Sequence, residues 1–482
     1  MLLPIISLAM CLVAQEHPKD IVFPEFVFTP PNAGAYMEKL NNGVPVFIVE
    51  DGELPLIRVV ATFRGGTYLD DDAQVGLTSM MASLVRAGGS TSVSAEEMDE
   101  QLAFLAANIS VRGNRTNVTA SLDCLSSNFE DAFALFLDML LRPGFQESKL
   151  RLEKDAIIEG LKQRNDHPRD ILRREYSTQM YGDSYLGRKP VEKDVLSIAS
   201  ESLGAAHRAI VSPSNLILSV SGDFDKNEML AALNDSFGQR GGNGPLSNPP
   251  VVLSEYVPGI YYVDQDVPQG GVRIGLRTVM RDDPDVEAME VMNYILGGGG
   301  FSSRITQRVR SDEGLAYSVG SQFSAGVWSD GTWRAGFESK NSTVALATVL
   351  VFDEIERIRT ELVSKEDLAL AKSALIEQFP STFQSKSATL GVFVDDMLTH
   401  RNENYWSNYR DRVAAVTVED VKRVANKILL PEEMVIVIVG DWGVIHAGDE
   451  GGRATMEDVR AIVGGTIVEL PLRDPLSLEV VR

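Results

Sequence analysis

Two side chains suited to stabilising a negative charge lie seven residues apart in the stretch RVRSDEGLAYS, at Arg310 and Tyr317. Arginine is permanently charged and a tyrosine hydroxyl donates a hydrogen bond, so the two together could bind a carbonyl oxygen that is gaining charge. The spacing alone favours a simpler interpretation, in which Arg310 lies on a solvated helix end and Tyr317 packs in a strand. The pair needs further evidence before it is assigned a role.

The histidines do not show the spacing of a metal site. A zinc-binding helix places two histidines one turn apart, where both imidazoles reach the same ion. No two histidines of this chain have that spacing, and none is a neighbour of Cys124. The five are His17, His167, His207, His400 and His446. We therefore expect no histidine-based catalytic zinc site and no metal ligand set in this chain.

The stretch GLTSMMASLVRAGGST, residues 76–91, predicts a short helix followed by a glycine turn. Its apolar residues recur at helical spacing and form one stripe, which is Leu77, Met80, Met81, Leu84 and Val85. The opposite face is predicted to hold Ser79, Ala82 and Ser83, which are small and poor metal ligands. The helix therefore has a clear packing face and a second face without functional side chains.

Composition restricts the classes of partner. The chain has 482 residues with 44 % hydrophobic and 23 % charged residues, as in ordinary globular proteins of several domains. Its formal net charge of -23 argues against nucleic acid and against anionic membrane surfaces, which bind basic proteins. The acidity serves solubility or, alternatively, a basic partner. With only Cys11 and Cys124, the fold depends on its core and not on disulfides.

The chain contains an internal repeat, which predicts two homologous domains. An apolar strand ending in a Gly-Asp turn occurs from Asn215 and again from Met434, each time after a helix and a proline. A segment rich in Gly, Pro, Asn and Ser follows the first copy and resembles a linker. We predict one domain at 30–240, a linker at 241–251, a second domain at 252–448 and a tail at 449–482 that docks as a strand or stays loose.

Local patterns predict strands and helices in each domain. VPVFIVED and PLIRVVATFRGG are predicted to pair as strands across a GELP turn, and NISVRGNRTNVTASLDC predicts two more strands. Helical patterns cover SNFEDAFALFLDMLLRP and ESKLRLEKDAIIEGLKQRN. Strands joined by short turns with helices on one face make an α+β layer design. The glycines 297–300 lack the Lys-Ser/Thr of a phosphate loop, so they are predicted to end a helix and leave a flexible loop.

The first residues, MLLPIISLAMCLVAQ, have an apolar core of signal-peptide length, and no other segment approaches a membrane span. We predict a signal peptide at 1–16 and an exported protein, periplasmic or extracellular rather than cytoplasmic. No basic residue precedes the apolar run, so an apolar terminus without a targeting role remains the alternative. Cleavage and lipidation are both left open.

Three stretches together resemble the M16 metallopeptidases, the insulinase and pitrilysin-like family that includes the mitochondrial processing peptidase. They are the helix and glycine turn at 76–91, LEKDAIIEGLKQRNDHP, and YILGGGGFSSRITQRVRSDEGLAYSV from Tyr294. The resemblance covers almost the whole chain after residue 30. It implies two homologous α+β domains, each a largely antiparallel sheet with helices packed on it, arranged as a clam.

The resemblance also implies where zinc chemistry is missing. Active relatives carry His-x-x-Glu-His in the first stretch, and here Ser79 and Ser83 take the histidine positions while Ala82 takes the base position. The third ligand position falls on Glu159 or Gly160. A serine hydroxyl is a poor zinc ligand at neutral pH, and alanine cannot accept a proton. The chain alone is therefore expected to be inactive.

The second half keeps the family's Arg/Tyr pair at Arg310 and Tyr317, which is implied to grip the substrate carbonyl in a partner's site. Gly297, Gly298, Gly299 and Gly300 are implied to lie near the substrate. We predict the non-zinc subunit of a heteromeric M16 peptidase: no cofactor in this chain, zinc in the partner subunit, and peptide as substrate. The alternatives are a catalytically inactive scaffold or peptide-binding protein, and a homodimer when the partner is absent.

Overall fold

The computed structural model describes residues 28–242 and 244–481, so the predicted signal peptide lies outside the described residues. Two six-stranded sheets form the framework of the fold. The strands of the first sheet are β1 (Met37–Lys39), β2 (Pro45–Glu50), β3 (Leu56–Arg64), β4 (Asn108–Gly113), β5 (Asn117–Leu125) and β6 (Leu216–Gly222). The strands of the second are β7 (Gly259–Asp264), β8 (Gln269–Arg277), β9 (Ala316–Ser324), β10 (Thr332–Lys340), β11 (Val435–Gly440) and β12 (Ile467–Glu469).

The two sheets have matching strand orders, β1-β2-β6-β3-β5-β4 and β12-β7-β11-β8-β10-β9. In each sheet the strand of the internal repeat, β6 or β11, is buried along its whole length. It runs parallel to one neighbour and antiparallel to the other. Strands buried on both faces read as continuous apolar runs, which is why this repeat was visible in the sequence. The predicted α+β class with two similar domains is confirmed, and the sheets are mixed.

One predicted strand pairing is wrong. The segments on either side of the GELP turn are strands, β2 and β3, but they do not pair with each other, because β6 lies between them. The turn spans a gap of one strand and is not a hairpin. The two strands predicted in NISVRGNRTNVTASLDC are present as β4 and β5, and they pair antiparallel from Asn108 to Asp123.

Helices cover one face of each sheet and enclose its main core. With the first sheet come α1 (Leu77–Ala87), α2 (Ala95–Phe104), α3 (Phe129–Leu141), α4 (Glu147–Lys162), α5 (Pro168–Tyr181), α6 (Glu192–Ser197), α7 (Ser200–Ile210) and α8 (Lys226–Leu233). With the second come α9 (Val286–Asn293), α10 (Val344–Thr360), α11 (Lys365–Gln378), α12 (Lys386–Thr399), α13 (Tyr405–Ala415), α14 (Val418–Ile428), α15 (Trp442–Ala447) and α16 (Met456–Val463). We call β1–β6 with α1–α8 the first half, and the remainder the second half.

The two halves exchange one helix each. α5 belongs to the first half by sequence, but it packs Ile171 and Leu172 against β8 and β11 of the second sheet. α12 belongs to the second half, and it packs Leu390 and Phe393 against β2 and β6 of the first sheet. Each sheet therefore has its second face covered in part by the other half, and this fixes the two halves relative to each other.

The connecting and terminal segments are simple. The described residues of the predicted linker at 241–251 contain neither helix nor strand. The segment after residue 448 forms α16 and β12, and β12 extends the second sheet parallel to β7. Among residues 28–242 and 244–481, no helix has the length and apolarity that a membrane span requires.

Candidate functional site

α1 is the helix on which the resemblance places the missing zinc motif. It begins after Gly76, whose φ of 101° suits glycine, and Asp70 accepts hydrogen bonds from the Gly76 and Thr78 amides at 3.0 Å each. Burial raises the pKa of Asp70, although these bonds favour its charged form. The side chain of Asp70 thus supplies the N-terminal cap that α1 itself lacks.

The predicted second face of α1 does not exist as one surface. Ser79 is exposed and Ser83 is half-buried, but Ala82 is fully buried in the core of the first half together with Met80 and Met81. The three positions therefore differ in burial, although their spacing predicts one helix face. A methyl group fits this core position, and the sequence pattern alone did not distinguish it from a surface alanine.

The two candidate third-ligand positions point in different directions on α4. Glu159 is exposed, and its carboxylate pairs with Lys162 at 3.1 Å. Gly160 lies one helical turn after Ile157, on the side that lines cavities, and a Cβ added there would meet no atom within 4 Å. Of the two, Gly160 is the position that lines a cavity, although both residues are exposed.

These residues do not fit a zinc ion. The α1 positions offer two hydroxyls and a methyl group, and the cavity-facing α4 position has no side chain. Within the described ranges, no group of three or more His, Cys, Asp and Glu lies close enough together to hold a metal. Zinc needs several imidazole, thiolate or carboxylate ligands, so these residues would not hold a zinc ion. Beside Ser79 lies instead a cavity of about 300 Å³, the α1 cavity, lined largely by apolar residues such as Met80, Ile157 and Leu186.

The structure brings Arg310 and Tyr317 into contact. The Arg310 guanidinium lies 4.8 Å from the centre of the Tyr317 ring and 4.5 Å from the ring of Phe301, so two aromatic rings hold it. It forms no ion pair with any carboxylate in the part of the chain that the structure describes. Tyr317 begins the edge strand β9 and is 86 % exposed. Tyr317 is therefore not the packed strand tyrosine of the simpler interpretation. Phe301 is a member of this cluster that the sequence did not single out.

The glycines 297–300 do not form the predicted flexible loop. A π-helical turn continues α9 through Gly298, and a 3-10 turn begins at Gly300. Gly297 is buried, and an added Cβ would lie 2.6 Å from the Ser321 amide nitrogen, so this glycine allows the turn to pack on β9. A second π-helical segment, Thr306–Asp312, then presents Arg310. Propensities for α-helix carry no signal for these π turns.

Two larger cavities lie along the open face of the second sheet. The first, which we call the sheet cavity, has a volume of about 710 Å³ and is lined by the face of β8, β10 and β9, including Tyr317. The second, which we call the basic cavity, has a volume of about 760 Å³ and lies between the halves. Its cationic lining residues are Arg115, Arg164, Arg173, Arg174, Lys189, Arg273 and Arg334.

The basic cavity joins the other two. It shares Arg273 and Arg334 with the sheet cavity, and it shares Arg115 and Lys189 with the α1 cavity. It therefore lies between the Ser79 position and the Tyr317 wall. Sequence reasoning missed this cluster, because its members come from both halves and only Arg173 and Arg174 are adjacent. The one local signal was the concentration of arginines in RNDHPRDILRREY.

Comparison with known families gives two adjoining matches. The family described as "Insulinase (Peptidase family M16)" matches residues 57–194, and the family described as "Peptidase M16 inactive domain" matches residues 197–375. An uncharacterized zinc protease of Mycobacterium leprae is 31 % identical over 200 residues, which is 40 % of this chain and 45 % of that protein. The non-peptidase homolog YmxG of Helicobacter pylori is 24 % identical over 355 residues, 72 % of this chain and 81 % of that protein.

Solved structures share the fold. A peptidase M16 inactive domain from Pseudomonas fluorescens has a TM-score of 0.76 at 23 % identity and covers 84 % of this chain and 97 % of its own. The periplasmic protease PqqL of Escherichia coli has a TM-score of 0.70 at 17 % identity, covering 87 % and 48 %. A chain of the complex III2 structure from Candida albicans has a TM-score of 0.66 at 14 % identity, covering 85 % and 96 %. Similar chains thus occur both as proteases and within a larger assembly.

Proposed function

This chain belongs to the M16 peptidase family, and from that premise we propose that it is the non-zinc subunit of a heteromeric M16 peptidase. Its part is to supply Arg310 and Tyr317 to peptide hydrolysis at a zinc site on a partner subunit. The chain alone is inactive, because Ser79 and Ser83 occupy the ligand positions on α1. The cavity-lining candidate position on α4, Gly160, has no side chain.

The observation that carries this proposal is the arrangement around Arg310. In the described part of the chain the Arg310 guanidinium has no carboxylate partner; it lies against the rings of Phe301 and Tyr317, and Tyr317 is largely exposed. The Arg310 N–H groups and the Tyr317 O–H are all donors, so they can bind one carbonyl oxygen. Donors placed in advance stabilise the charge that this oxygen gains during hydrolysis, which is the ordinary role of an oxyanion hole.

Two features support a partner subunit. Tyr317 is largely exposed in this chain, although oxyanion donors act best where water is excluded. The α1 cavity, where a metal would be needed, is lined mostly by apolar groups. A second M16 chain that carries His-x-x-Glu-His would provide both the zinc and the missing cover. We also propose that the protein is exported, with the periplasm as the compartment.

The test is reconstitution with a zinc-bearing M16 subunit, sought first in the adjacent reading frames. Arg310→Gln and Tyr317→Phe should each lower kcat for a quenched fluorescent peptide by about 10²-fold or more, the usual cost of losing an oxyanion donor. The matched control is Arg308→Gln. Arg308 lies on the same π-helical segment, but unlike Arg310 it pairs with a carboxylate, that of Glu313 at 3.6 Å. This control should leave kcat unchanged.

The competing function is an inactive scaffold or peptide-binding protein, and the relative named as a non-peptidase homolog favours it. If the assembled pair keeps full turnover with both Arg310→Gln and Tyr317→Phe, while gel filtration shows intact assembly, the assigned role is wrong. Turnover by this chain alone after zinc is added would contradict the proposal in a different way, because it would require a metal site within this chain.

A further inference from the structure

The basic cavity stands out because the rest of the chain is acidic. Seven cationic side chains line it against two carboxylates, Asp166 and Asp170, whereas the whole chain has a formal charge of -23. Such a local reversal of charge does not follow from composition. A cleft lined by one sign of charge between low-dielectric walls attracts ligands of the opposite sign.

Most of these cations are not neutralised within the chain. Arg173 pairs with Asp170 at 2.6 Å, and Arg174 pairs with Glu175 at 2.9 Å. The other five have no carboxylate within 4.0 Å in the part of the chain that is described. They are Arg115, Arg164, Lys189, Arg273 and Arg334. The shortage of carboxylates leaves a net positive surface, which a bound anion would neutralise.

Two buried polar atoms in the lining lack partners. Arg174 is only 7 % exposed; its Nε and Nη1 are bonded, but its Nη2 has no hydrogen-bond partner. Tyr176 is 6 % exposed, and its hydroxyl also has none. Buried donors are nearly always hydrogen-bonded, and each unmet donor costs stability. Both atoms have almost no accessible surface, so a ligand in the cavity would contact the cationic groups that line it and not these two atoms.

The crowding of like charges agrees with this geometry. Burial lowers the pKa of Lys189, and so do the nearby Arg115 and Arg164. Burial and the neighbouring Arg334 lower the pKa of Arg273 in the same way. The surroundings of Lys189 and Arg273 therefore disfavour their charged forms. An anion among them would reverse the effect of the like charges.

We propose that the basic cavity binds acidic segments of peptides, by ion pairs between their carboxylates and the guanidinium groups of both halves. Its volume of about 760 Å³ falls within the range of about 300–1,000 Å³ of ordinary ligand sites. The peptide nature of the ligand rests on the function proposed above, since the cavity continues into the wall that holds Tyr317. The anionic nature rests on the cavity alone.

Recognition would be shared between the sheets and helices that line the cavity. Arg273 on β8 and Arg334 on β10 lie on neighbouring paired strands, separated diagonally by two residues of register. Arg115 and Lys189 face them from the first half. Guanidinium groups bind carboxylates through two parallel hydrogen bonds, so several carboxylates along an extended peptide could be bound at once.

The experiment is fluorescence anisotropy of the full chain without any partner subunit, using labelled octaglutamate and octaglutamine. Octaglutamate should bind at least about tenfold more tightly than octaglutamine, since hydrogen bonds between guanidinium and carboxylate groups are stronger than those to a neutral amide. The double variant Arg273→Gln/Arg334→Gln should weaken octaglutamate binding by about tenfold or more. Arg115→Gln, at an exposed position, should weaken it by a smaller factor.

The matched control is Arg151→Gln, an exposed arginine on α4 that does not line the basic cavity. It should bind octaglutamate like the wild type. Circular dichroism and thermal unfolding establish that each variant is folded. Arg115→Gln keeps the test decisive if the double variant proves unstable, because that side chain packs against little.

Three results would overturn the inference. Octaglutamine could bind as tightly as octaglutamate, or folded cavity variants could bind octaglutamate as well as the wild type does. Tripolyphosphate could bind where octaglutamate does not, which would make the ligand a phosphate compound. Because no zinc subunit is present in this assay, failure of the catalytic proposal would leave its result unchanged.

Discussion

α1 in the first half and α9 in the second half take equivalent places, since each follows the strand that pairs antiparallel with the central strand. They differ in what they bury. α1 buries Thr78 and otherwise apolar side chains such as Met80 and Leu84. α9 also buries Glu287, whose carboxylate accepts from Arg412 Nε at 2.8 Å, and it holds Glu290 against Tyr409. Both helices therefore combine packing with polar bonds, but those of α1 lie at its N-terminus, to Asp70, whereas the Glu287 and Glu290 side chains of α9 bond to α13.

This difference coincides with the position of Arg310, the residue that the proposed function uses. α9 continues directly into the π-helical turn and then the segment that presents Arg310. Polar bonds between α9 and α13 fix the orientation of that segment more narrowly than apolar contacts can. α1 has lost its implied ligands, and the packing of its apolar face does not depend on Ser79 or Ser83. A duplicated fold can therefore keep a site in one half while the other half keeps only the scaffold.

The largest effect is expected where the halves exchange helices. Phe393 on α12 is 2 % exposed and packs on Phe47 of the first sheet with ring centres 5.7 Å apart. Phe393→Ala should lower the free energy of unfolding by about 3–5 kcal/mol, through lost burial and the cavity that remains. Chemical denaturation measures this. Hydrogen exchange should locate the lost protection in β2 and β6 of the first half, although the substitution lies in the second.

The exposed residue Asp395 on the same helix provides the control. Asp395→Ala should change the free energy of unfolding by less than about 0.5 kcal/mol. If Phe393→Ala reduced protection only within the second half, the halves would be stabilised independently. The exchange of α5 and α12 would then be a contact without mutual support.

The next effect tests the polar bonds of α9. Burial raises the pKa of Glu290 to about 7, so the folded state keeps this proton between pH 4.5 and 7 while the unfolded chain loses it. The contribution of Glu290 to the free energy of unfolding is therefore highest below pH 4.5. It falls as the pH rises and levels off above pH 7. Glu290→Gln should be more stable than the wild type by about 2 kcal/mol at pH 8, after a discount for partial exposure, and equal to it near pH 4.5.

Urea unfolding at both pH values measures this difference, and Glu287 gives a control of opposite sign. Glu287→Gln removes a buried ion pair with Arg412, so it should destabilise the protein at pH 8. A Glu290→Gln variant that is less stable than the wild type at pH 8 would show that the carboxylate is charged and favourable there. α9 would still differ from α1 in its polar bonds. The charged Glu290 carboxylate would then stabilise the fold at pH 8 and not destabilise it.

Much of the fold was accessible from the sequence because its signals are local. The alternation in 108–125 and the apolar runs of β6 and β11 identify strands whatever their partners. The choice of partner is not local, which is why the pairing of β2 with β3 was predicted wrongly. Nothing in the residues between them indicates that a strand about 160 residues later inserts there.

The candidate site likewise has a part that is local in sequence and a part that is not. Arg310 and Tyr317 are close in sequence, and the structure places them in contact, while the role assigned to them stays a prediction. The basic cavity could not be predicted, because Arg115, Lys189, Arg273 and Arg334 come from four separate segments of both halves. They meet in the cavity between the two halves, which α5 also lines. The burial of Ala82 was also not predicted, since burial of a small residue leaves no trace in hydrophobic spacing.

The smallest effects are expected on α4, the helix that holds both candidate positions for the implied third ligand. Gly160→Glu adds a carboxylate that faces the basic cavity, and the added Cβ meets no atom within 4 Å. The fold should tolerate it, because glycine inside a helix is unfavourable by about 1 kcal/mol relative to good helix formers. Octaglutamate affinity should fall several-fold, by about 1 kcal/mol of added repulsion.

Glu159→Gln is the paired variant at the adjacent position. It removes an exposed ion pair to Lys162 at 3.1 Å, which contributes less than about 0.5 kcal/mol to stability. Octaglutamate affinity and the unfolding midpoint should both stay at wild-type values, because Glu159 points away from the cavity. If Glu159→Gln altered the affinity and Gly160→Glu did not, the cavity-facing position on α4 would be Glu159. The first half would then retain one carboxylate of its implied site, and the contrast between the halves would be weaker.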